Sequence, residues 1–293
     1  MTPLIDIQNL TLNYGRKKVL KNISFSLDGG KIYGLLGRNG AGKTSLLSLL
    51  ASFQRPKSGM IKIHGEEPFE NARIMQNVGL FYNQDYAGET DSVKEMLEFV
   101  QRYRPNFDID YAQYLVERFD LPMKTAISKL STGKKSALNA TIGLASRTPI
   151  TLFDEVYLGM DAPSREFFYK EIFEDQERVP RTFILSTHLV SEMDYLFDEV
   201  LIIHRGELLL HEDYETVISR GAAITGEATK VDRFTQGMTI LNEKTLGPTK
   251  SVMVYGQLSE TELEELRISG LDIGPVPLQD LFIHLTGGGK IDE

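Results

Sequence analysis

The chain has 293 residues, of which 41% are apolar and 25% charged, with no cysteine and a net charge of −9. That length suits a main domain plus an appendage, and the missing cysteines exclude a disulfide framework or a thiolate metal site. The acidic balance argues against a nucleic-acid partner, and no apolar run approaches the roughly 20 residues of a membrane span. The opening Met1-Thr2-Pro3-Leu4-Ile5-Asp6 has no basic region and meets a carboxylate early, so no signal peptide is expected. A soluble intracellular protein is the reading. Period-2 apolar positions predict strands over residues 4–12 and 23–27, bounded by the turn-like Tyr14-Gly15 and Gly29-Gly30.

The next apolar run, 32–36, leads into Gly37-Arg38-Asn39-Gly40-Ala41-Gly42-Lys43-Thr44, and an apolar-rich segment follows over 45–50. The octet fits G-x-x-x-x-G-K-[ST] in the strand–loop–helix setting that this motif needs. Glycines let consecutive backbone N–H groups turn inward, and the helix N-terminus adds positive potential, so the loop cradles a polyphosphate. Lys43 reaches the β- and γ-phosphates as a point charge, and the Thr44 hydroxyl is placed to ligate Mg2+. Nucleotide binding follows from this segment alone.

Further strands are predicted at 59–63 and 78–82, after which residues 92–147 change character and read as helices. Ser92-Val93-Lys94-Glu95 is a capping box ahead of Met96, Leu97, Phe99 and Val100. A second helix is expected over 111–119 and a third over 133–146. Strand character returns at 149–153, ending in Asp154-Glu155, and at 182–185, ending in Ser186-Thr187-His188. Residues 200–204 and 207–210 flank Arg205-Gly206 as a hairpin turn. The alternation argues for an α/β fold with a mainly parallel sheet covered on both faces, an antiparallel N-terminal β layer and a helical subdomain over about 85–148.

Beyond 221 the pattern is less regular. A strand is expected at 251–255, and the capping box Ser259-Glu260-Thr261-Glu262 opens a helix through Arg267 that stops at Gly270. A last short helix spans 278–285 before Thr286-Gly287-Gly288-Gly289, read as frayed tail. The expected division is a main domain over 1–220 and a small α+β accessory domain over 221–293.

Outside the phosphate loop a few side chains carry candidate chemistry. Asp154 ends a buried-type strand, where a carboxylate of a phosphate-loop protein holds Mg2+ opposite Thr44. Glu155 beside it is placed to polarise the water that attacks the γ-phosphate. His188 closes the next strand, at the carboxyl edge where parallel sheets bind ligands, and can donate to a γ-phosphate oxygen. Gln84 offers a neutral oxygen to metal or water, and Tyr14 offers a face to a purine. Taken singly, each also fits a plainer role: a solvated acidic pair, a structural histidine, a packed tyrosine.

In this order the motifs resemble the nucleotide-binding subunit of ABC transporters over roughly residues 4–215. Tyr14 matches the family's adenine-stacking aromatic, and Gln84 the glutamine that senses Mg2+ and the membrane subunit. Leu130-Ser131-Thr132-Gly133-Lys134 stands where the signature peptide L-S-G-G-Q belongs. Asp154-Glu155 matches the metal-holding Asp and catalytic Glu, Gly159-Met160-Asp161 the loop ending near the dimer interface, and His188 the switch histidine. The resemblance implies a P-loop NTPase fold of the ABC type, ATP and Mg2+ as ligands, and ATPase activity resting on Glu155, His188, Gln84 and Lys43. It implies a second ATPase subunit, homo- or heterodimeric, whose nucleotide Ser131 and Gly133 clasp, and an integral membrane permease that keeps the chain on the inner face of the cell membrane. The single domain, the signature variant and the tail Leu278-Gln279-Asp280-Leu281-Phe282-Ile283-His284-Leu285-Thr286 look like bacterial exporters of antibiotics and cell-envelope compounds.

The chain departs from the family pattern twice. Thr132 and Lys134 replace the first glycine and the glutamine of the signature. The β-branched Thr132 is expected to crowd the approach to phosphate, and Lys134 and Lys135 to lean on the partner's nucleotide. Val156 replaces the usual proline after Glu155 and is expected to loosen that loop. Rival readings are a hydrolytically weak regulatory subunit of a heterodimer, a soluble ABC-type ATPase without a transport role, and a P-loop kinase for a small molecule.

Overall fold

Alternation along the first strand builds the N-terminal layer. In a computed structural model that describes residues 2–256 and 258–287, β1 (Ile5–Tyr14) buries Ile5, Ile7, Leu10 and Leu12. The count slips by one between Ile7 and Leu10, where the pairing shifts register and Asn9 takes φ 51°. β2 (Lys17–Leu27) follows, then β3 (Ile32–Leu36), α1 (Lys43–Leu50) and β4 (Ser58–Ile63). β1 lies between β2 and β4, antiparallel to both. This is the expected antiparallel layer, with strands longer than the alternation marked.

Next come α2 (Ala72–Met75), β5 (Val78–Tyr82), α3 (Val93–Tyr103), α4 (Ile109–Arg118), α5 (Thr132–Ala145) and β6 (Ile150–Asp154). They are followed by α6 (Ala162–Arg178), β7 (Thr182–Thr187), β8 (Glu199–His204) and β9 (Glu207–Asp213). The strands form a six-stranded sheet in the order β5-β6-β7-β3-β8-β9, with β5, β6, β7 and β3 mutually parallel. Burial on both faces explains why β3, β6 and β7 read as near-continuous apolar runs. Leu46, Leu47, Leu49 and Leu50 of α1 pack into the core that holds Leu35, Ile150, Leu152 and Ile184.

The helix α6 is not among the predicted elements, and its burial shows why. Its inward face carries Glu171 and Asp175 beside Phe168, Tyr169 and Ile172, so charged residues occupy positions where the helical period looks for apolar ones. Its start was legible: Asp161 caps it and a proline sits in the first turn.

The chain divides into two compact units. One reaches to His188 and resumes at Tyr195–Phe197 and Leu201–His211; the other holds Leu189–Asp194, Asp198–Val200 and the chain from Glu212 onward. The second contains α7 (Tyr214–Ser219), β10 (Gly221–Glu227), α8 (Ala228–Phe234), β11 (Thr239–Leu246), β12 (Thr249–Tyr255), α9 (Glu260–Ile268), β13 (Asp272–Pro275) and α10 (Leu278–Leu285). Its antiparallel sheet runs β11-β12-β10-β13 over a core that includes Ile224, Val231, Val252, Val254 and Leu266. The irregularity expected beyond 221 is therefore a complete small α+β unit. β10 opens with Gly221-Ala222-Ala223 and β11 is a polar edge strand with no fully buried residue, so neither carries an apolar alternation. Both predicted capping boxes are formed, and Gly270 stops α9 at φ 67°. Gly288 and Gly289 of the run read as tail lie outside the described residues. Among the described residues no helix is long and apolar enough to cross a membrane.

Candidate active site

Parallel pairing puts the candidate residues along one edge of the sheet. Tyr82 stands opposite Asp154, Asp154 opposite Ser186, and Thr187 opposite Leu36. The carboxyl ends of β5, β6, β7 and β3 therefore lie in a row, and the segments that leave them carry Gln84, Glu155, His188 and Gly37. Ligands of open α/β sheets bind at this edge.

The phosphate loop leaves β3 and enters α1 through Gly42, the helix N-cap, at φ 114°. No side chain caps α1 there, which leaves its first-turn N–H groups to an anion. Gly37 is buried, while Arg38, Asn39 and Gly40 are exposed, with the Ala41 N–H closing a turn onto the Arg38 carbonyl at 3.0 Å. A cleft of about 670 Å³ opens over the loop. Asn39, Gly40, Ala41, Gly42, Lys43 and Thr44 line it together with Tyr14 and Glu155. Tyr14 is 52% exposed, and its hydroxyl accepts from Gln54 Nε2 at 2.8 Å, which leaves the ring face to the cleft.

Three charged or titratable groups converge beside the loop. Lys43 is only 6% exposed; its Nζ donates to the Gly37 carbonyl at 2.7 Å and lies 3.1 Å from Glu155 Oε1. The same Oε1 is 3.0 Å from His188 Nδ1. One carboxylate oxygen thus bridges the phosphate-loop lysine and the histidine from the next strand. Asp154 Oδ1 accepts a hydrogen bond from Ser186, the residue facing it across the ladder. Asp154 and Thr44 fit Mg2+ in an ATPase, where one or two protein oxygens and the substrate phosphates complete the shell.

Glu155 itself has φ 48°, a left-handed conformation that costs a non-glycine residue roughly 1–2 kcal/mol. The surroundings hold it there. Asn83 Nδ2 donates to the carbonyls of Glu155 (3.2 Å) and Leu158 (3.3 Å), and Ser136 bonds both Asn83 and Leu158. Val156 is fully buried, and the Tyr157 hydroxyl pairs with Thr187 at 2.7 Å. The loop expected to loosen without proline is instead tied down.

The signature peptide meets its own chain. Ser131 caps α5 by accepting from the Lys134 N–H at 3.3 Å. A Cβ on Gly133 would stand 2.6 Å from the Gly159 carbonyl oxygen, and Thr132 Cγ2 lies against Gly159. Within this chain, Thr132 therefore packs on the 159–161 loop. Lys134 also departs from expectation: its Nζ donates to the carbonyls of Phe119 and Asp120, both at 2.7 Å, and pairs with the Asp120 carboxylate at 3.2 Å. It closes the end of α4 and is not held out for a partner's nucleotide. Asp161 caps α6 through the Ser164 N–H at 3.0 Å, and hydrogen bonding to Ser164 holds its carboxyl below the usual range.

Of the residues expected around this chain's own nucleotide, Gln84, Gly37, Arg38, Asp154 and His188 do not line this cleft, and Gln84 is exposed; Ser131, Gly133 and Asp161 are expected at a partner's nucleotide and also lie outside it. Sequence reasoning missed Lys17, Lys18 and Arg205, which do line it. A signal existed in the lysine pair just after the Tyr14-Gly15 turn, but only strand pairing shows that Lys17 stands opposite Tyr14.

A family model described as ABC transporter matches residues 20–157. The chain is 26% identical over 309 residues to the bacitracin transport ATP-binding protein BcrA of Bacillus licheniformis, covering 99% of this chain and 100% of that one. It is 30% identical over 209 residues to the Nod factor export ATP-binding protein I of Burkholderia orbicola (strain AU 1054), covering 69% of this chain and 68% of that one. A solved ATP-binding subunit of an ABC transporter superposes with a TM-score of 0.63 at 19% identity, covering 73% of this chain and 91% of that one. Phosphate loop, sheet edge and relatives agree: the chain belongs to the ABC transporter family as an ATP-binding subunit, an ATPase that works with Mg2+.

Proposed function

We propose that this ATPase powers a separate membrane-spanning permease, and that the assembly is an exporter. The observation that carries the residue-level reading is the single Glu155 oxygen bridging Lys43 and His188 beside the phosphate loop. Tyr14 stacks on adenine, residues 37–44 wrap the phosphates, and Lys43 takes the β- and γ-phosphates. Thr44 and Asp154, with Gln84 as a further oxygen donor, would hold Mg2+, which neutralises charge on the phosphate oxygens. Glu155 accepts the proton of the attacking water, and His188 orients it and donates to a γ-phosphate oxygen. Ser131, Gly133 and Asp161 face a second ATPase subunit across a head-to-tail pair, identical or paralogous.

Export is supported by likeness to a relative named for Nod factor export. A permease-facing surface is supported on the helical insertion, over about residues 85–148. There Phe99 and Tyr103 of α3 are 53% and 70% exposed, with ring centroids 4.7 Å apart. Residues 221–293 serve as an accessory domain, and the chain sits on the cytoplasmic face of the membrane through its permease.

Glu155→Gln tests the chemistry. ATP binding should persist while turnover falls by on the order of 10²–10⁴-fold, the usual worth of a positioned base. Near-normal turnover would remove Glu155 from this role.

A further inference from the structure

The hairpin turn Arg205-Gly206 is fastened to the phosphate loop from behind. The Gly206 N–H donates to the Ala41 carbonyl at 3.0 Å, and the Gly206 carbonyl accepts from the Lys21 N–H at 2.8 Å. Both turn residues have positive φ, 50° and 84°, as a tight two-residue hairpin requires. A Cβ on Gly206 would stand 2.3 Å from the Val19 carbonyl, so the turn lies tight against β2. Arg205 is thereby held at the wall of the nucleotide cleft, which Lys17 and Lys18 also line.

These cations lack the partner that surface cations usually find. Lys21 is paired with Glu207 at 3.2 Å. Among the described residues Arg205, Lys17 and Lys18 have no carboxylate within 4 Å. Like charges gathered around one concave surface are unfavourable until an anion enters between them. His204, next to the turn, feels the same field: burial first, then Arg205 and Arg38, hold its imidazolium below the ordinary range.

We propose that Arg205, seconded by Lys17 and Lys18, is a further nucleotide-binding residue that grips the α-phosphate of ATP and ADP. The inference rests on the reading of the cleft as the ATP site. Lys43, buried at the base of the loop, takes the terminal phosphates, and Tyr14 takes the base. Between those two ends the rim cations add to the loop's own N–H donors and Ser45 along the cleft, and a guanidinium matches two phosphate oxygens at once.

Calorimetric titration of the full chain with Mg2+–ATP and Mg2+–ADP, and with AMP, decides it. Arg205→Ala should weaken both by the same factor, roughly 5–30-fold for one charge-assisted contact, and should weaken AMP likewise, because the α-phosphate is the one phosphate that all three share. Arg205→Lys should recover part of the loss. Affinity unchanged for both nucleotides would overturn the assignment, and so would a loss confined to ATP, which places Arg205 at the γ-phosphate. Lys43→Ala separates the layers. Intact ATP binding there defeats the cleft reading itself, whereas loss with Lys43→Ala and none with Arg205→Ala defeats only the proposal for Arg205.

Discussion

Asp175 is fully buried on α6, and its two oxygens take Arg147, just beyond α5, and Arg181, just before β7. Arg147 also holds Asp108, the cap of α4, at 3.1 Å, and Arg181 donates to the Leu144 carbonyl of α5 at 2.9 Å. One carboxylate thus ties the helical insertion to the sheet. Asp175→Ala leaves two guanidinium groups facing each other without their shared anion. Burial, and the charge of Arg147, already press the Arg181 guanidinium toward its neutral form, and Asp175 is the main group that opposes them. Removing one member of a buried pair costs about 3–5 kcal/mol, against a typical total stability of about 5–15 kcal/mol. Urea denaturation followed by circular dichroism should show that loss, and the melting temperature should fall by about 2–4 °C per kcal/mol. The double variant Asp175→Leu with Arg181→Met should be milder than Asp175→Ala alone, because it strands less charge. A loss below about 1 kcal/mol in Asp175→Ala, or a double variant worse than the single, would refute the network argument.

Tyr86 gives a pH signature. Its hydroxyl donates to Asn139, and burial, with Tyr82 and Glu89, pushes its phenol up to about 12. The folded value lies above the unfolded one near 10, so this stabilisation is complete below pH 10 and drains away as pH rises toward 12. Two units correspond to at most about 3 kcal/mol. Alkaline unfolding of Tyr86→Phe should lack that part of the slope, and identical curves would contradict the assignment. Gly133→Ala should cost about 1–3 kcal/mol, since its Cβ would press on the Gly159 carbonyl oxygen at 2.6 Å. An unchanged melting temperature in that variant would show that the 159–161 loop yields freely.

Contiguous chemistry was legible in the sequence. The phosphate loop, the capping boxes at Ser92 and Ser259, the strand at 78–82 and the helix at 278–285 all rest on groups that act within a few residues of one another, so the chain states them directly. Only the tertiary structure decided what depends on distant partners. It put charged Glu171 and Asp175 on the inner face of α6, turned Lys134 onto the end of α4, and stood Arg205 over the phosphate loop from far earlier in the chain. It also joined Lys43, Glu155 and His188 at one oxygen. The physical reason is that propensity, capping and periodicity report on a residue's neighbours in sequence, whereas ion pairs and clefts report on its neighbours in space. Parallel strands bring those neighbours together from segments that share no local signal.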